Sequence, residues 1–222
     1  MIRIIDTPDA APTLFPEPDL KALLSYLRTA WDEMRALQPV WWKAKKETTL
    51  VAGLFYALNN DERRMRHGVG FGHLVYESTE IEVDTEGMPK QRGRTDILFY
   101  HATPMGPGLV FEFKRLDNKS RLRGEYVKEG VSRYVSGKYA STSDFGMMVG
   151  MVAGSASTER AALVALLSKP VVIGSLMSMA IAPAAFWTES VYAPAVDFDT
   201  LHNRVAGCLQ PIIRVGHMLL ER

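Results

Sequence analysis

Cysteine is almost absent from this chain. A single residue, Cys208, in 222 positions excludes an internal disulfide framework and a cysteine-built zinc cluster. It reads as a small buried hydrophobe inside a last helix and fits a reducing, cytoplasmic setting. Long apolar runs are lacking too. The longest, Val171–Trp187, is broken by Gly174, Ser175, Ser178 and Pro183 and is short for a spanning helix, so it is assigned to the core and no membrane association is expected. The N-terminus turns acidic and proline-rich at once, so no signal peptide is expected. A net charge of +1 gives no global nucleic-acid signature. Internal repeats and low-complexity linkers are missing, and the Gly-rich turn GVGFG between His67 and His73 lacks phosphate-loop spacing.

What remains is an ordinary globular composition, 47% apolar and 23% charged, long enough for one domain with a sizeable core. Charge is unevenly spread. Residues 87–138 hold eleven Lys/Arg against five Asp/Glu, a local excess suited to a polyanionic substrate.

Residues 6–18 carry four prolines and read as an extended lead-in arm. Leu20, Leu23, Leu24, Leu27, Trp31 and Met34 have helical spacing over Asp19–Leu37, with Asp19 as N-cap and Pro39 as the stop. A second helix is expected over Lys43–Asn59, with Leu50, Leu54, Phe55 and Leu58 along its stripe. From Gly72 the period changes to two. HLVYESTEIEV reads as a strand, GMPKQRG as a turn, then RTDILFYH and GLVFEFK as a hairpin joined by TPMGPG. Asn118–Tyr139 is expected to be helical with Tyr126, Val127, Val131, Tyr134 and Val135 inward. Phe145–Val152 is a central strand, Ser157–Leu167 a helix begun by Ser157 or Thr158, and Asp199–Cys208 a helix. Ile212–Leu220 is either strand or helix. The sum is one domain of α/β class with a mixed central sheet flanked by helices. Residues 1–42 form an arm and helix, 43–152 a core, and 153–222 an extension completing the sandwich.

The hairpin carries the chemistry. Centred near Pro104, it pairs positions that sum to 208, setting Asp96 across from Glu112 and Arg94 across from Lys114. Glu112 and Lys114 are two apart and share a face. Opposed carboxylates about 4.5–5.5 Å apart at Cβ repel unless a cation joins them. Two hard oxygen ligands beside an ammonium make a Mg²⁺ site; the alternative is a cross-strand ion-pair network.

That order of elements, with Thr95-Asp96 and Phe111-Glu112-Phe113-Lys114, resembles the core of the PD-(D/E)XK nuclease superfamily, the restriction-endonuclease-like αβββαβ fold. Thr95 stands where that family usually has proline. The resemblance implies that Asp96 and Glu112, with the Phe113 carbonyl, ligate Mg²⁺ (Mn²⁺ substituting) and that Lys114 positions or activates the attacking water. It adds Glu47, in the helix before the sheet, as an extra ligand. The Gln-x-x-x-Tyr element of some members is replaced here by the stretch from Glu129 to Arg133-Tyr134. Lys90, Arg92, Arg94, Arg115, Arg121 and Arg123 are candidate phosphate contacts, or solvated surface charge. Glu80 or Glu82 either supports the metal or lies on an exposed face. His202 and Arg204 read as surface helix residues, or as side chains reaching the site from outside the core. Trp41-Trp42 either stacks on bases or packs the first helices onto the sheet.

The implied function is Mg²⁺-dependent DNA hydrolysis in a prokaryotic restriction, anti-phage defence or mobile-element system, as a homodimer or with partner proteins. The alternatives are a non-catalytic assembly module of the same fold and an RNA-processing nuclease.

Overall fold

Apolar spacing at three and four residues makes the first helix, α1 (Glu17–Leu37), and buries Leu20, Leu23, Leu24, Leu27 and Trp31 along one side. It starts at Pro16 rather than at Asp19; Gln38 closes it in the left-handed conformation, and Pro39 prevents continuation. The computed structural model describes residues 15–83, 89–102, 108–181 and 185–222, with only the backbone described within 79–94. Most of the proline-rich lead-in and the TPMGPG turn therefore lie outside the described residues.

A 3₁₀ turn (Val40–Lys43) leads into α2 (Glu47–Leu58) and the polar α3 (Asp61–Arg66). Strands β1 (Gly72–Tyr76), β4 (Ile97–His101) and β5 (Gly108–Leu116) are antiparallel neighbours. Between β1 and β4 the chain makes a separate ribbon, β2 (Thr79–Val83) with β3 (Pro89–Arg94). The expected single strand over 73–83 is thus two strands in two sheets, and much of the expected turn over 87–93 is β3. After β5 comes one continuous helical run, α4 (Ser120–Glu125), a π-helical turn (Tyr126–Val131) and α5 (Ser132–Val135). It delivers the chain to β6 (Phe145–Val152), parallel to β5. Helices α6 (Ala156–Leu167) and α7 (Pro170–Ser175) then precede β7 (Phe198–Asn203) and β8 (Ile212–Glu221). The main sheet has the order β1-β4-β5-β6-β8-β7, mixed in direction and flanked by helices. Among the described residues no helix is long and apolar enough to cross a membrane.

Two apolar cores lie on the two faces. Phe111, Phe113 and Met147 pack with α1 and α2, while Val110, Leu116 and Met148 pack with the α4–α5 run and α6. Arg28 of α1 clamps the C-terminal strands, donating to the Ala195 carbonyl at 2.8 Å and to Asp197 at 2.7 Å.

The stretch expected to be a helix over 199–208 is instead β7, and Cys208 sits half-buried in the turn after it. Its polar residues misled the pattern because their partners are internal. His202 and His217 are both fully buried and joined by the Thr200 hydroxyl at 2.8 and 2.9 Å. His202 Nδ1 faces the Leu176 carbonyl at 3.0 Å, so it carries the proton and Nε2 accepts from Thr200. Thr200 then accepts from His217 Nε2–H, leaving His217 Nδ1 to accept from the Tyr126 hydroxyl at 2.9 Å. Every step requires neutral imidazoles.

Burial pushes His202 down to about 4 and His217 well below the usual histidine range. The folded state therefore binds fewer protons than the unfolded chain below about pH 6.5, and stability present above that pH drains away as pH falls toward 4. His202 alone contributes a loss on the order of 3 kcal/mol across that window. Raised carboxylates pull the other way, so the informative quantity is the difference between wild type and His202→Asn. Urea midpoints of the wild type are expected to fall more steeply with acid than the variant's; parallel curves would contradict the neutral relay.

Candidate active site

The β4–β5 pairing has the expected register, with Ile97 opposite Phe111 and Leu98 opposite Val110. The ladder stops there. Asp96 lies one residue outside β4, and its Oδ2 accepts the Phe113 backbone N–H at 2.8 Å. Arg94 does not face Lys114, because the chain has turned into the ribbon, where Arg94 pairs with Thr79.

Alternation along β5 sends Glu112 and Lys114 to the face covered by the α4–α5 run. Glu112 is 1% exposed. Its Oε1 accepts from Lys114 Nζ at 2.8 Å and from Arg133 Nη1 at 2.9 Å. Lys114 Nζ also donates to the Phe113 carbonyl at 3.0 Å and to Glu47 Oε1 at 3.3 Å. Glu47, the first residue of α2, reaches over the strand end, and its Oε2 accepts the Arg115 backbone N–H at 2.8 Å. The site thus gathers Asp96, Glu112, Phe113, Lys114 and Glu47 from three separate parts of the chain.

Arg133 was not among the expected site residues. It sits on α5, directly after the π-helical turn, and its guanidinium also meets the Tyr139 hydroxyl at 2.6 Å. Its one sequence signal was its place on a helix whose neighbours Val131 and Tyr134 point inward. Gly130 lets that helix approach, since a Cβ there would come within 2.3 Å of the Met148 side chain.

Three carboxylates here face two cations. Burial, then the charges of Glu112 and Glu47, lift Asp96 to about 7. Glu112 is raised by burial, against the pull of Lys114 and Arg133. Burial works against the Lys114 ammonium, but Glu112, Glu47 and Asp96 outweigh it and its pKa is raised. Lys114 is therefore a held cation, not a neutral base.

The buried Glu112 Oε2 has no hydrogen-bond partner among the described residues. No three His, Cys, Asp or Glu side chains among those residues stand as a ready-made ligand cluster. The donor set nevertheless suits a hard divalent cation. It offers an orphaned carboxylate oxygen at full burial and a second carboxyl held high by burial and by its neighbours' negative charge.

No family model, curated protein or solved structure matches the chain.

The other expected contacts fall as follows. Arg115 pairs with Asp117 and donates to the Lys45 carbonyl. Arg121 pairs with Glu125 on the exposed surface, and Arg123 with the buried Glu159 at 2.7 Å. The side chains of Lys90, Arg92, Arg94, Glu80 and Glu82 lie outside the described residues. His202 and Arg204 are neither surface helix residues nor members of the site; both are buried within the C-terminal part. Trp42 packs on Trp31 at 4.7 Å between ring centroids.

Proposed function

We propose that this chain is a Mg²⁺-dependent nuclease that hydrolyses DNA phosphodiester bonds, with Asp96, Glu112 and Lys114 as its catalytic residues. The observation that carries the reading is the unpartnered Oε2 of the buried Glu112 beside Asp96. Leaving a buried carboxylate oxygen unsatisfied costs about 1–3 kcal/mol or more, a penalty expected where a ligand is to bind. The element order supports it as well: apart from α3 and the β2–β3 ribbon, the chain runs from α2 through three antiparallel strands and a helical run to a parallel strand, as the resemblance implied.

Asp96, Glu112 and the Phe113 carbonyl would hold the metal, with Glu47 as an additional ligand. When bound, the cation supplies an acidified water and charge neutralisation at the phosphate. Lys114, kept cationic by its acidic neighbours, holds the nucleophilic water's oxygen and screens charge on the phosphoryl oxygens. Arg133 fixes the Glu112 carboxylate by its Oε1, leaving Oε2 directed to the ligand. Cellular setting follows from the same reading: a restriction, defence or mobile-element system, acting as a homodimer or with partner proteins in the cytoplasm.

Linear, circular and single-stranded DNA incubated with and without Mg²⁺ or Mn²⁺ tests this. Metal-dependent cleavage is expected, lost in excess EDTA. Glu112→Ala and Lys114→Ala should each lower it at least about 10²-fold, and Arg133→Ala about 10- to 100-fold through weaker metal affinity. Cutting that persists in EDTA refutes the mechanism.

One observation favours a second reading, a non-catalytic assembly module: Lys114 Nζ already bridges Glu47 and Glu112. Calorimetry with Mg²⁺ or Mn²⁺ separates the two, since the module would show no metal-binding heat.

A further inference from the structure

Away from the carboxylates, α1, the 3₁₀ turn, α2 and α3 enclose a groove of about 880 Å³. Its lining includes the aromatic Trp41, Phe55 and Tyr56 and the basic Arg63 and Arg66, with one acidic residue, Glu33. Tyr56 is 84% exposed, an unusual position for a large ring on a helix that is otherwise well packed. Trp41 lies against α2 at Gly53, where a Cβ would come within 2.3 Å of the indole. The glycine thus sets the ring into the groove wall. Arg63 is taken by Glu33, but Arg66 is 70% exposed and stands 3.8 Å from Glu62, too loose to hold its charge.

Five residues of sequence separate Trp41 in the groove from Glu47 at the candidate active site. Trp41 lines the groove, Glu47 bonds Lys114, and the segment between them carries Lys43, Lys45 and Lys46, all exposed. From Glu47 to Tyr56, α2 runs about 14 Å.

We infer that the groove receives unpaired bases of a nucleic-acid strand whose phosphates run over Lys43, Lys45 and Lys46 to the carboxylate site. The inference rests on the nuclease reading for the end where the strand is cut. Aromatic walls engage the faces of bases, and those faces are free only where the strand is unpaired and unstacked. Exposed lysines supply the sequence-independent phosphate attraction. The substrate class is therefore single-stranded or frayed DNA or RNA, in preference to an intact duplex.

The test is fluorescence anisotropy in EDTA, which keeps binding apart from cutting. Labelled oligodeoxythymidylate of about twelve nucleotides, the matching oligouridylate, a blunt duplex and an abasic deoxyribose-phosphate strand serve as probes. The two base-bearing single strands are expected to bind about tenfold or more tighter than the abasic strand and the duplex. Tyr56→Ala removes only an exposed ring. It should weaken the base-bearing strands about tenfold and leave the abasic strand unchanged. Lys45→Ala with Lys46→Ala should weaken every probe and lower the salt slope by about 0.7 per lysine on single strands. Equal affinity for abasic and base-bearing strands, or no effect of Tyr56→Ala, overturns the groove assignment, even in a protein that cuts DNA. A Tyr56-dependent preference for unpaired strands in a protein that never cuts upholds the groove and defeats the nuclease reading.

Discussion

Asp96→Asn is expected to abolish Mg²⁺-dependent cleavage and, in EDTA, to raise the thermal midpoint. The two effects share one cause. Asp96 is half-buried beside Glu112 and Glu47, and partial burial with their charges lifts its carboxyl to about 7 against an ordinary 3.8. A carboxyl raised in the folded state burdens that state wherever it is ionised, so the penalty is fully present above about pH 7 and disappears as pH falls toward 4. Because the side chain is partly open to solvent, the shift is discounted to about 2 kcal/mol at pH 8. Asparagine keeps an oxygen to accept the Phe113 N–H and removes the charge. For a chain of this size the gain corresponds to roughly 4 °C or more. Mg²⁺ should reverse the order, stabilising the wild type by mass action and leaving the variant unmoved. Scanning calorimetry at pH 8 with EDTA and with Mg²⁺ reads both arms. A variant less stable than wild type in EDTA, together with a wild type indifferent to Mg²⁺, would mark Asp96 as an ordinary structural carboxylate.

The parts legible in the sequence were those in which neighbours along the chain decide the structure. The Asp96–Glu112 hairpin has its register of 208 because strand alternation and one turn determine it locally. The α1 stripe and the inward face of 120–135 follow from helical spacing, and the all-buried strand Phe145–Val152 from its unbroken apolar run. Glu47 was named only through the family resemblance, and the structure sets it beside Lys114. What stayed hidden depends on distant partners. Asp199, Thr200 and His202 look like a helix surface until Arg214, His217 and Ser178 are in place beside them. The short helix Asp61–Arg66 has almost no apolar stripe and is begun by Asn60, whose side chain accepts the Arg63 N–H at 2.9 Å. Arg133 was hidden for a similar reason. Its contact with Glu112 spans 21 positions and passes through a π-helical turn, which helical spacing does not anticipate.

Arg204→Met should cost about 3–5 kcal/mol, a large share of the stability of a domain this size. Arg204 is 7% exposed and its guanidinium donates to four backbone carbonyls: Tyr134 at 3.0 Å, Tyr139 at 2.8 Å, Ala140 at 2.8 Å and Ser143 at 2.9 Å. These belong to the end of α5 and the loop that follows it. Methionine fills a similar volume but donates nothing, so those carbonyls lose a partner where water is scarce. Two of them, Tyr134 and Ala140, also bond the backbone N–H of Gly137 and Ser143, which is why the cost stays below the sum of four lost bonds. The consequence reaches the site. Tyr139 on this loop holds Arg133, and Arg133 holds Glu112, so loosening the loop frees the carboxylate. Arg204→Lys keeps the charge with only one donor group in place of the planar fork, and should fold while losing part of the stability. In Arg204→Lys, amide exchange is expected to quicken across 136–143, and metal-dependent cleavage to fall with it, while β6 and β8 stay protected. If urea midpoints of Arg204→Met stay within about 1 kcal/mol of wild type, the carbonyls find other partners and this route from the C-terminal strands to Glu112 is broken.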